Sequence, residues 1–362
     1  MAQSSNINIK ILHDSFNFLG GGEVFVMSLQ KALPGAMIIT PYVNTKHFKA
    51  AHHTNLRGGV KLPIRLPKFL IKLIATIYYS LIRVSGADVI IHSGTMSLLA
   101  AKTNGFHIFY CHKPPLVSAN QGVNFWPRRL LLSVLRIIIK RKLSTFDLIL
   151  SNSDFTAERL YEQTGLSSRV LQPCIDQTQL DKVKEAKSAT NPFFVSPSRH
   201  AKHKNVDKII RAFIRMPDYR LIICSSGEET RKLRYLAKKF PNITFTGHLG
   251  KEKYFEIIKS SLAVIYVPTN EDFGISALEA LGLGVPLIHT CSGGLNEICN
   301  NQVTIQVDDD DIENQLFEII SNRKTMDWAK QKQVSSSVIN HEFQSFITSL
   351  KILLKEELGI NV

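Results

Sequence analysis

The chain has 362 residues, of which 44% are hydrophobic and 20% charged. This composition excludes an intrinsically disordered chain, and the length exceeds what one hydrophobic core usually fills, so we expect two domains. The net charge of +14 is unevenly distributed: residues 1–180 hold 20 of the 44 Lys and Arg but only 8 of the 30 Asp and Glu, which predicts an anionic partner for the first half.

The cysteine and histidine patterns argue against disulfide bonds and metal sites. The odd total and the lack of a Cys-x-x-Cys pair predict reduced thiols and a cytoplasmic protein. The polar N-terminus leads directly into a strand, so we expect no signal peptide. The twelve histidines are scattered without metal-ligand spacing. The cysteines are Cys111, Cys174, Cys224, Cys291 and Cys299.

Apolar strands alternate with helical stretches through the first half. The strand Asn8–His13 precedes the glycines Gly20, Gly21 and Gly22 and the amphipathic helix Val24–Leu33. Such a glycine turn lets a phosphate approach the backbone, although a plain flexible turn explains it equally well. The alternation predicts a parallel sheet with helices on both faces, and ligands bind beyond the carboxyl ends of its strands. The further predicted strands are Ala36–Thr40, Asp88–His92, Phe106–His112, Asp147–Ser151 and Arg169–Pro173.

A polar stretch at 176–191 predicts a linker between domain 1–175 and domain 192–341. The second domain repeats the alternation and is predicted to be another doubly wound unit. An amphipathic helix at 342–362 follows it. The predicted strands of the second domain are Phe193–Ser196, Arg220–Cys224, Ile243–Thr246, Leu262–Val267, Val285–His289 and Val303–Val307.

Polar residues that are able to take part in catalysis or ligand binding follow several of these strands. His112 follows a buried strand and precedes Pro114-Pro115, a position suited to acid-base or hydrogen-bonding work, although a lone histidine is more often structural. Arg199 and Lys204 follow the first strand of the second domain. Two cations at a strand end suit a diphosphate, although loop cations are often without function.

The stretch Thr269–Glu279 places two carboxylates around the start of a helix. Glu271 lies in the loop and Glu279 on the helix, while Phe273, Gly274 and Ile275 bring backbone amides to the helix N-terminus. Carboxylates bind sugar and ribose hydroxyls well because each oxygen accepts more than one hydrogen bond. Either glutamate alone would be explained by the helix dipole or by solvent exposure.

The combined pattern is more specific than its parts. Phe273-Gly274 lies between the two glutamates, Gly282-Leu-Gly284-Val-Pro286 follows them, and Gly293-Gly294-x-x-Glu297 comes next. This resembles the signature of the retaining glycosyltransferases of family four (glycosyl transferases group 1), which include bacterial mannosyl- and glucosyltransferases of envelope polysaccharide synthesis. The resemblance implies the α/β fold named GT-B, in which two Rossmann-like, doubly wound domains face a cleft and the C-terminal helix, here 342–362, crosses back to the N-terminal domain.

The resemblance also implies a role for each site residue. Arg199 and Lys204 would hold the donor diphosphate, and Glu279 would hold the ribose. The sugar would be held by Glu271 and by the amides of Phe273, Gly274 and Ile275. Gly21 and Gly22 would admit the diphosphate, Gly227 and Gly247 accommodate the base, and His112 contact the sugar or the acceptor. The family often has Arg where Leu116 stands. No Asp-x-Asp metal motif is positioned for the reaction, so we expect cations in place of a metal, and no cofactor besides the nucleotide-sugar donor.

Two basic, apolar stretches favour peripheral docking on anionic lipid. They are 61–83 and 127–142, and neither has the roughly twenty uninterrupted apolar residues of a spanning helix. Packing of the same apolar faces within the domain would explain them equally well. Nucleic acid is a less favoured partner, because the basic runs lack interleaved aromatics.

The sequence therefore predicts a nucleotide-sugar-dependent retaining glycosyltransferase at the inner face of the cytoplasmic membrane, with a lipid-linked or polysaccharide acceptor. GDP-mannose is the favoured donor on family frequency, which matches a role in lipopolysaccharide or O-antigen synthesis. Two alternatives remain open, a nucleotide-sugar epimerase of the same fold and a non-catalytic sugar-nucleotide-binding subunit. Oligomeric state is not predicted.

Overall fold

The computed structural model describes residues 7–17, 20–46, 56–115, 136–183, 192–299, 304–321 and 343–359. The chain divides into two compact units. The first contains Met1–Cys174 and Phe343–Val362, and the second contains Ile175–Glu342. The predicted linker extends through 184–191, which lies outside the described residues, as do Leu116, residues 127–135 of the second basic stretch and 322–342.

A parallel sheet forms the centre of the first unit. Its described strands follow the order β3-β2-β1-β4-β5-β6-β7. Ile11 and Leu12 of β1 pack into different apolar clusters, so the sheet is buried on both faces, as expected for parallel strands. The strands are β1 (Ile9–His13), β2 (Met37–Asn44), β3 (Leu56–Leu62), β4 (Val89–Ser93), β5 (Phe106–Cys111), β6 (Leu148–Ser151) and β7 (Arg169–Val170). The helices are α1 (Gly21–Ala32), α2 (Lys68–Leu81), α3 (136–143) and α4 (Asp154–Thr164).

The second unit repeats this architecture. Its described strands are parallel and follow the order β10-β9-β8-β11-β12-β13. They are β8 (Phe193–Ser196), β9 (Arg220–Cys224), β10 (Ile243–Gly247), β11 (Val264–Tyr266), β12 (Leu287–Thr290) and β13 (Thr304–Val307). The helices are α5 (Gln177–Leu180), α6 (Val206–Ile214), α7 (Thr230–Ala237), α8 (Lys251–Ser260), α9 (Ile275–Gly282) and α10 (Ile312–Ser321).

The last helix, α11 (Phe343–Leu358), belongs to the first unit although it follows the second in the chain. Phe346, Leu350 and Leu354 lie in the same buried cluster as Phe25 of α1. At the solvent edge, Arg169 of β7 pairs with two glutamates of α11 at 2.7 and 2.8 Å. The first unit therefore completes its core with the C-terminal end of the chain.

The predicted fold class, two Rossmann-like doubly wound domains, is confirmed, and several boundaries differ from the prediction. β3 was not predicted, because Arg57, Gly58, Gly59 and Lys61 interrupt its apolar pattern. It is an edge strand that needs only β2 as a partner. The helix α1 begins at Gly21 rather than Val24, because the carboxylate of Glu23 accepts a hydrogen bond from the Gly20 amide at 3.1 Å and caps the helix earlier.

Candidate active site

The direction of chain connection reverses at β8 in the second sheet. β9 and β10 lie on one side of β8, whereas β11 and the strands after it lie on the other. In open α/β sheets, ligands bind beyond the carboxyl ends of the strands at such a switch point. Arg199 and Lys204 follow β8, and Glu271 follows β11, so the fold brings predicted site residues to this position.

Lys204 and Glu271 form an ion pair at the switch point. The Lys204 Nζ atom donates a hydrogen bond to Glu271 Oε2 and another to the hydroxyl of Tyr266 at 2.9 Å. The Lys204 and Glu271 side chains are only 12% and 13% exposed, so water screens the pair weakly. The predicted diphosphate-binding cation and sugar-binding carboxylate are therefore in direct contact.

Arg199 has a different acidic partner. Its Nη2 atom lies 3.1 Å from Glu228 Oε2, in the loop that follows β9. Gly227 precedes that glutamate and contacts the backbone of His200 so closely that an added Cβ would lie 2.4 Å from the His200 carbonyl oxygen. The absence of a side chain at Gly227 thus lets this loop reach Arg199.

Glu279 lies inside the unit and is 8% exposed. Burial raises its pKa to about 6, while the charge of Lys251 and a hydrogen bond from Tyr254, both on α8, act in the opposite direction. Glu271 and Glu279 both help to raise the pKa of Tyr266, behind burial as the main cause, so both carboxylates lie near that ring. At neutral pH Glu279 is mostly ionised and accepts hydrogen bonds.

The start of α9 needs a glycine at Gly274. Its φ of +105° is in the left-handed region, and an added Cβ would lie 2.9 Å from Leu295. The Phe273 side chain is buried in the core, and α9 begins at Ile275. The Ala277 amide donates to the Gly274 carbonyl at 2.9 Å, so the amides that precede it lie ahead of the first intrahelical acceptor. The Gly294 amide donates to the Glu271 carbonyl at 2.8 Å and fixes the glutamate loop.

Gly247 ends β10, on the far side of β9 from the switch point. Its φ of +72° favours glycine, and an added Cβ would meet nothing within 4 Å, so the space around it is open. Its carbonyl accepts a hydrogen bond from the Ser225 amide at 2.8 Å. The predicted contact of Gly247 with the nucleobase stays a prediction.

In the first sheet, the switch point lies between β1 and β4 and carries histidines. His13 at the end of β1 donates from Nδ1 to the Ser93 carbonyl oxygen at 2.5 Å, and its Nε2 lies 4.0 Å from Glu23. Burial lowers the pKa of His13, but the hydrogen bond and charge of Glu23, the charge of Asp14 and the Ser93 carbonyl together raise it above its ordinary value. Gly22 packs over this ring, since its Cβ position lies 3.4 Å from His13 Cε1, and Gly21 is the first residue of α1.

His112 lies beside this cluster. Its Nε2 atom is 2.7 Å from the Ser93 hydroxyl, and its ring centroid is 6.5 Å from that of His13. Burial, helped by the charge of His13, lowers the pKa of His112 to about 3. The imidazole is therefore neutral at physiological pH, and it is suited to hydrogen bonding more than to carrying positive charge.

Sequence reasoning missed several residues that complete these clusters. Tyr266 and Tyr254 contact the two glutamates, Glu228 contacts Arg199, and His13 and Ser93 contact one another beside His112. Tyr266, His13 and Ser93 are each the last residue of a strand. The carboxyl-end rule that selected His112 could have selected them as well.

Within the described residues, no group of three or more His, Cys, Asp or Glu side chains is arranged to hold a metal ion. None of the described helices combines the length and apolar character needed to cross a bilayer. All five cysteines lie in described ranges and carry free thiols.

Comparison with known proteins places the chain in a family. Residues 19–179 match the model of glycosyltransferase family 4, and residues 177–334 match that of glycosyl transferases group 1. In structure, the chain is similar to Anabaena HepE in complex with UDP and glucose, with a TM-score of 0.72, 15% identity and coverage of 96% of this chain and 99% of HepE.

Two alpha-1,3/1,6-mannosyltransferases ALG2 are similar in sequence. The human protein is 26% identical over 227 residues, which cover 54% of each chain, so this chain spans about half the length of that relative. The Dictyostelium discoideum protein is 23% identical over 351 residues, which cover 80% of this chain and 83% of the relative. Together with the two family models and the paired Rossmann-like units, these similarities show that the chain belongs to the group 1, or family 4, glycosyltransferases.

Proposed function

We propose that the protein transfers a sugar from a nucleotide diphosphate sugar to a lipid-linked or polysaccharide acceptor in envelope glycan synthesis. The observation that carries the proposal is the Lys204–Glu271 pair at the switch point of the second sheet. Arg199, on the same loop as Lys204, adds a second cation, and Glu279 adds a second carboxylate that faces Tyr266. Cations for a diphosphate thus lie next to carboxylates for hydroxyl groups.

The proposed chemistry depends on charge that develops as the diphosphate leaves. Arg199 and Lys204 stabilise that charge, and Arg suits it because its guanidinium binds two oxygens at once. Glu279 accepts hydrogen bonds from ribose hydroxyls, and Glu271 positions the sugar. We propose that these cations take the place of a metal ion and that transfer retains the anomeric configuration, as the family resemblance implies.

We propose a hydrogen-bonding role for the residues of the first unit. His112 is neutral and anchored by Ser93, so one ring nitrogen is held while the other is left to contact a sugar or acceptor hydroxyl. Gly21 and Gly22, at the start of α1, present helix N-terminal amides that suit a phosphate. The placement of these residues on the same ligand stays a prediction.

The donor is proposed as GDP-mannose, with a UDP-sugar as the alternative. The name mannosyltransferase of the ALG2 relatives supports mannose. The UDP and glucose bound by HepE support a uridine nucleotide. An assay with both donors therefore tests which nucleotide and which sugar the protein uses.

A transfer assay with matched variants tests the function. Purified protein is incubated with GDP-mannose or UDP-glucose and membrane-extracted lipid-linked saccharides, and labelled product is separated from donor. We expect labelled lipid-linked product from one donor, and loss of this product in Arg199→Ala and Glu279→Ala, both of which should still show a cooperative melting transition. Near-normal turnover in both variants would refute the assigned roles. Complete conversion of donor without acceptor would identify an epimerase, and binding without turnover a non-catalytic subunit.

We also propose that the first unit docks on an anionic membrane surface. The helix α2 is apolar on two opposite faces: Ala75 and Tyr79 pack into the core, whereas Phe69, Leu73 and Ile77 are 69%, 53% and 53% exposed. The exposed residues recur every four positions and form one stripe. A contiguous apolar stripe of this kind marks an interaction surface.

The charge around the stripe favours lipid as the occupant. Lys61, Arg65, Lys72 and Arg83 are exposed near it, and Asp88 is the only acidic residue between Glu23 and Asp147. Basic residues beside apolar ones suit an anionic bilayer, at about 1 kcal/mol per nearby Lys or Arg. At 14 residues, α2 is suited to lying in the interface and not to crossing it. This supports a lipid-linked acceptor.

Vesicle co-sedimentation tests the docking surface. We expect binding to phosphatidylglycerol vesicles that weakens with salt and is lost when Phe69, Leu73 and Ile77 are all replaced by Ser. Ile352→Ser removes a similarly exposed apolar side chain on α11 and serves as the control. Equal binding to neutral vesicles, or a stripe that mediates self-association in analytical ultracentrifugation, would contradict the proposal.

A further inference from the structure

Lys204, Tyr266 and Glu271 form a closed cluster in which each residue contacts the other two. Lys204 donates to Glu271 and, at 2.9 Å, to the Tyr266 hydroxyl, and its Nζ lies 5.0 Å from the Tyr266 ring centroid. Tyr266 is 3% exposed. The ammonium is therefore satisfied by groups of the protein itself.

The Tyr266 hydroxyl donates a hydrogen bond to Glu271. Burial is the main cause that raises the pKa of Tyr266 well above its ordinary value, followed by the charge of Glu271 and the hydrogen bond to it. The hydroxyl thus keeps its proton at all physiological pH values. It accepts from Lys204 and donates to Glu271, so it remains a partner for either residue if the other is engaged elsewhere.

Ligand binding sets the two charged residues against each other. In the proposed function a diphosphate binds Lys204. When Lys204 contacts the diphosphate, Glu271 loses its cationic partner. A carboxylate with little access to water is unfavourable when it loses its cation. A complete sugar nucleotide compensates for this loss, because its sugar hydroxyls donate to Glu271 while its diphosphate engages Lys204.

We propose that the Lys204–Glu271 pair competes with the ligand and makes the site select a complete sugar nucleotide over the bare nucleoside diphosphate. Tyr266 is a positioning residue, which holds Glu271 when Lys204 turns to the diphosphate. The inference rests on the proposed function, since it assumes that Lys204 binds the diphosphate and Glu271 the sugar. A weakened affinity for the diphosphate product also favours its release.

Calorimetric titration with UDP, GDP, UDP-glucose and GDP-mannose tests the inference. In Glu271→Gln the competitor for Lys204 is neutral, so we expect the affinity for the bare diphosphate to rise on the order of tenfold while that for the sugar nucleotide falls. In Tyr266→Phe we expect weaker binding of the bare diphosphate, because Glu271 then loses both partners on binding. In the double variant the Tyr266 effect should disappear, since no buried carboxylate remains to be held.

The design separates this inference from its alternatives. Simple repulsion between Glu271 and the phosphates would also raise the affinity of Glu271→Gln, but it would leave Tyr266→Phe unchanged. Tyr235→Phe, on the exposed surface of α7, controls for loss of a hydroxyl. If the unmodified protein binds none of the four nucleotides, the proposed function fails. If it binds them and Glu271→Gln shows no gain for the diphosphate, this inference alone is overturned.

Discussion

The two sheets share one topology but differ in chemistry at the same position. At the switch point of the first sheet lie His13, Ser93 and His112, whereas the second sheet carries Lys204 and Glu271. In the first cluster, the pKa of His112 is lowered to about 3, whereas that of the neighbouring His13 is raised. The second holds an ion pair whose members are both suited to parts of a sugar nucleotide. Equivalent positions in the two sheets therefore carry different chemical groups.

The difference has a physical origin in how each charge is compensated. In the first cluster, Glu23 and a backbone carbonyl satisfy His13, and the positive charge helps to keep His112 neutral. In the second cluster, the partner of Lys204 is a carboxylate that a ligand can displace. The carboxyl edge of the first sheet, called the first edge below, is thus suited to orienting neutral hydroxyls. The carboxyl edge of the second sheet, the second edge, is suited to binding and stabilising charge.

Removing Lys204, the cation in the ion pair of the second sheet, should have the largest effect on kcat/KM. We expect Lys204→Ala to lower kcat/KM by about 10²–10³-fold, because it removes charge stabilisation of the leaving diphosphate. His112→Ala should cost about tenfold, since a neutral imidazole contributes a single hydrogen bond. Steady-state kinetics with the preferred donor measures both, with the exposed Lys238→Ala as control. If His112→Ala costs as much as Lys204→Ala, the histidine takes part in the chemistry and the contrast is lost.

Glycine replacements compare the packing of the two edges. Gly227→Ala would place a Cβ 2.4 Å from the His200 carbonyl oxygen, and we expect it to lower the free energy of unfolding by about 1–3 kcal/mol. At Gly22 the added Cβ would be 3.4 Å from His13, an ordinary contact, so Gly22→Ala should change stability by about 0.5 kcal/mol or less. Urea denaturation measures both changes. A larger loss in Gly22→Ala would show that the first edge is the more tightly packed.

The pH dependence of donor affinity should be smaller than the effect of Lys204→Ala, and it should depend on Glu279 of the second unit but not on His112 of the first. Burial raises the pKa of Glu279 to about 6, and we propose that its ionised form accepts hydrogen bonds from ribose hydroxyls. We therefore expect donor affinity to fall about tenfold as the pH decreases from 7 to 5. Glu279→Gln should remove this dependence. His112→Ala should retain it, because a pKa of about 3 keeps that ring neutral across the range.

Stability linked to Glu279 should depend on pH with the opposite sign. Its folded pKa is raised above the ordinary value of 4.5, so its favourable contribution is present at low pH and is lost as the pH rises through about 6. Comparing the chemical stability of Glu279→Gln and the unmodified protein at pH 5 and 8 tests this sign. A gain for the variant at pH 5 that exceeds its gain at pH 8 would contradict it.

Much of the fold followed from patterns within single elements. The strand around Ile11 and the run before Pro268 are apolar and β-branched, and amphipathic helices such as α1 alternate with the strands. β3 was missed because an edge strand with two glycines has no such pattern. The start of α1 was misplaced because it depends on the Glu23 side chain reaching back to Gly20, a local contact that competes with the turn preference of glycine.

The site residues were harder to predict than the elements that hold them. Lys204 and Glu271 were chosen separately, one after each strand, and their contact depends on β8 and β11 being neighbours. The sequence predicts Tyr266 only as part of a buried strand. Its hydroxyl contacts both Lys204 and Glu271, a contact that residue type and position in the chain do not reveal. The residue types predict which ligand groups could bind, whereas the contact between Lys204 and Glu271 follows from the strand order of the sheet.

The return of α11 to the first unit determines when that unit is able to fold during synthesis. Phe346, Leu350 and Leu354 complete a core that begins with Ile9, so the ribosome must finish the entire second unit before the first has all its parts. Until then the nascent N-terminal half exposes an apolar surface around Phe25, which is a natural target for chaperones. Truncation before Phe343 would make that transient exposure permanent.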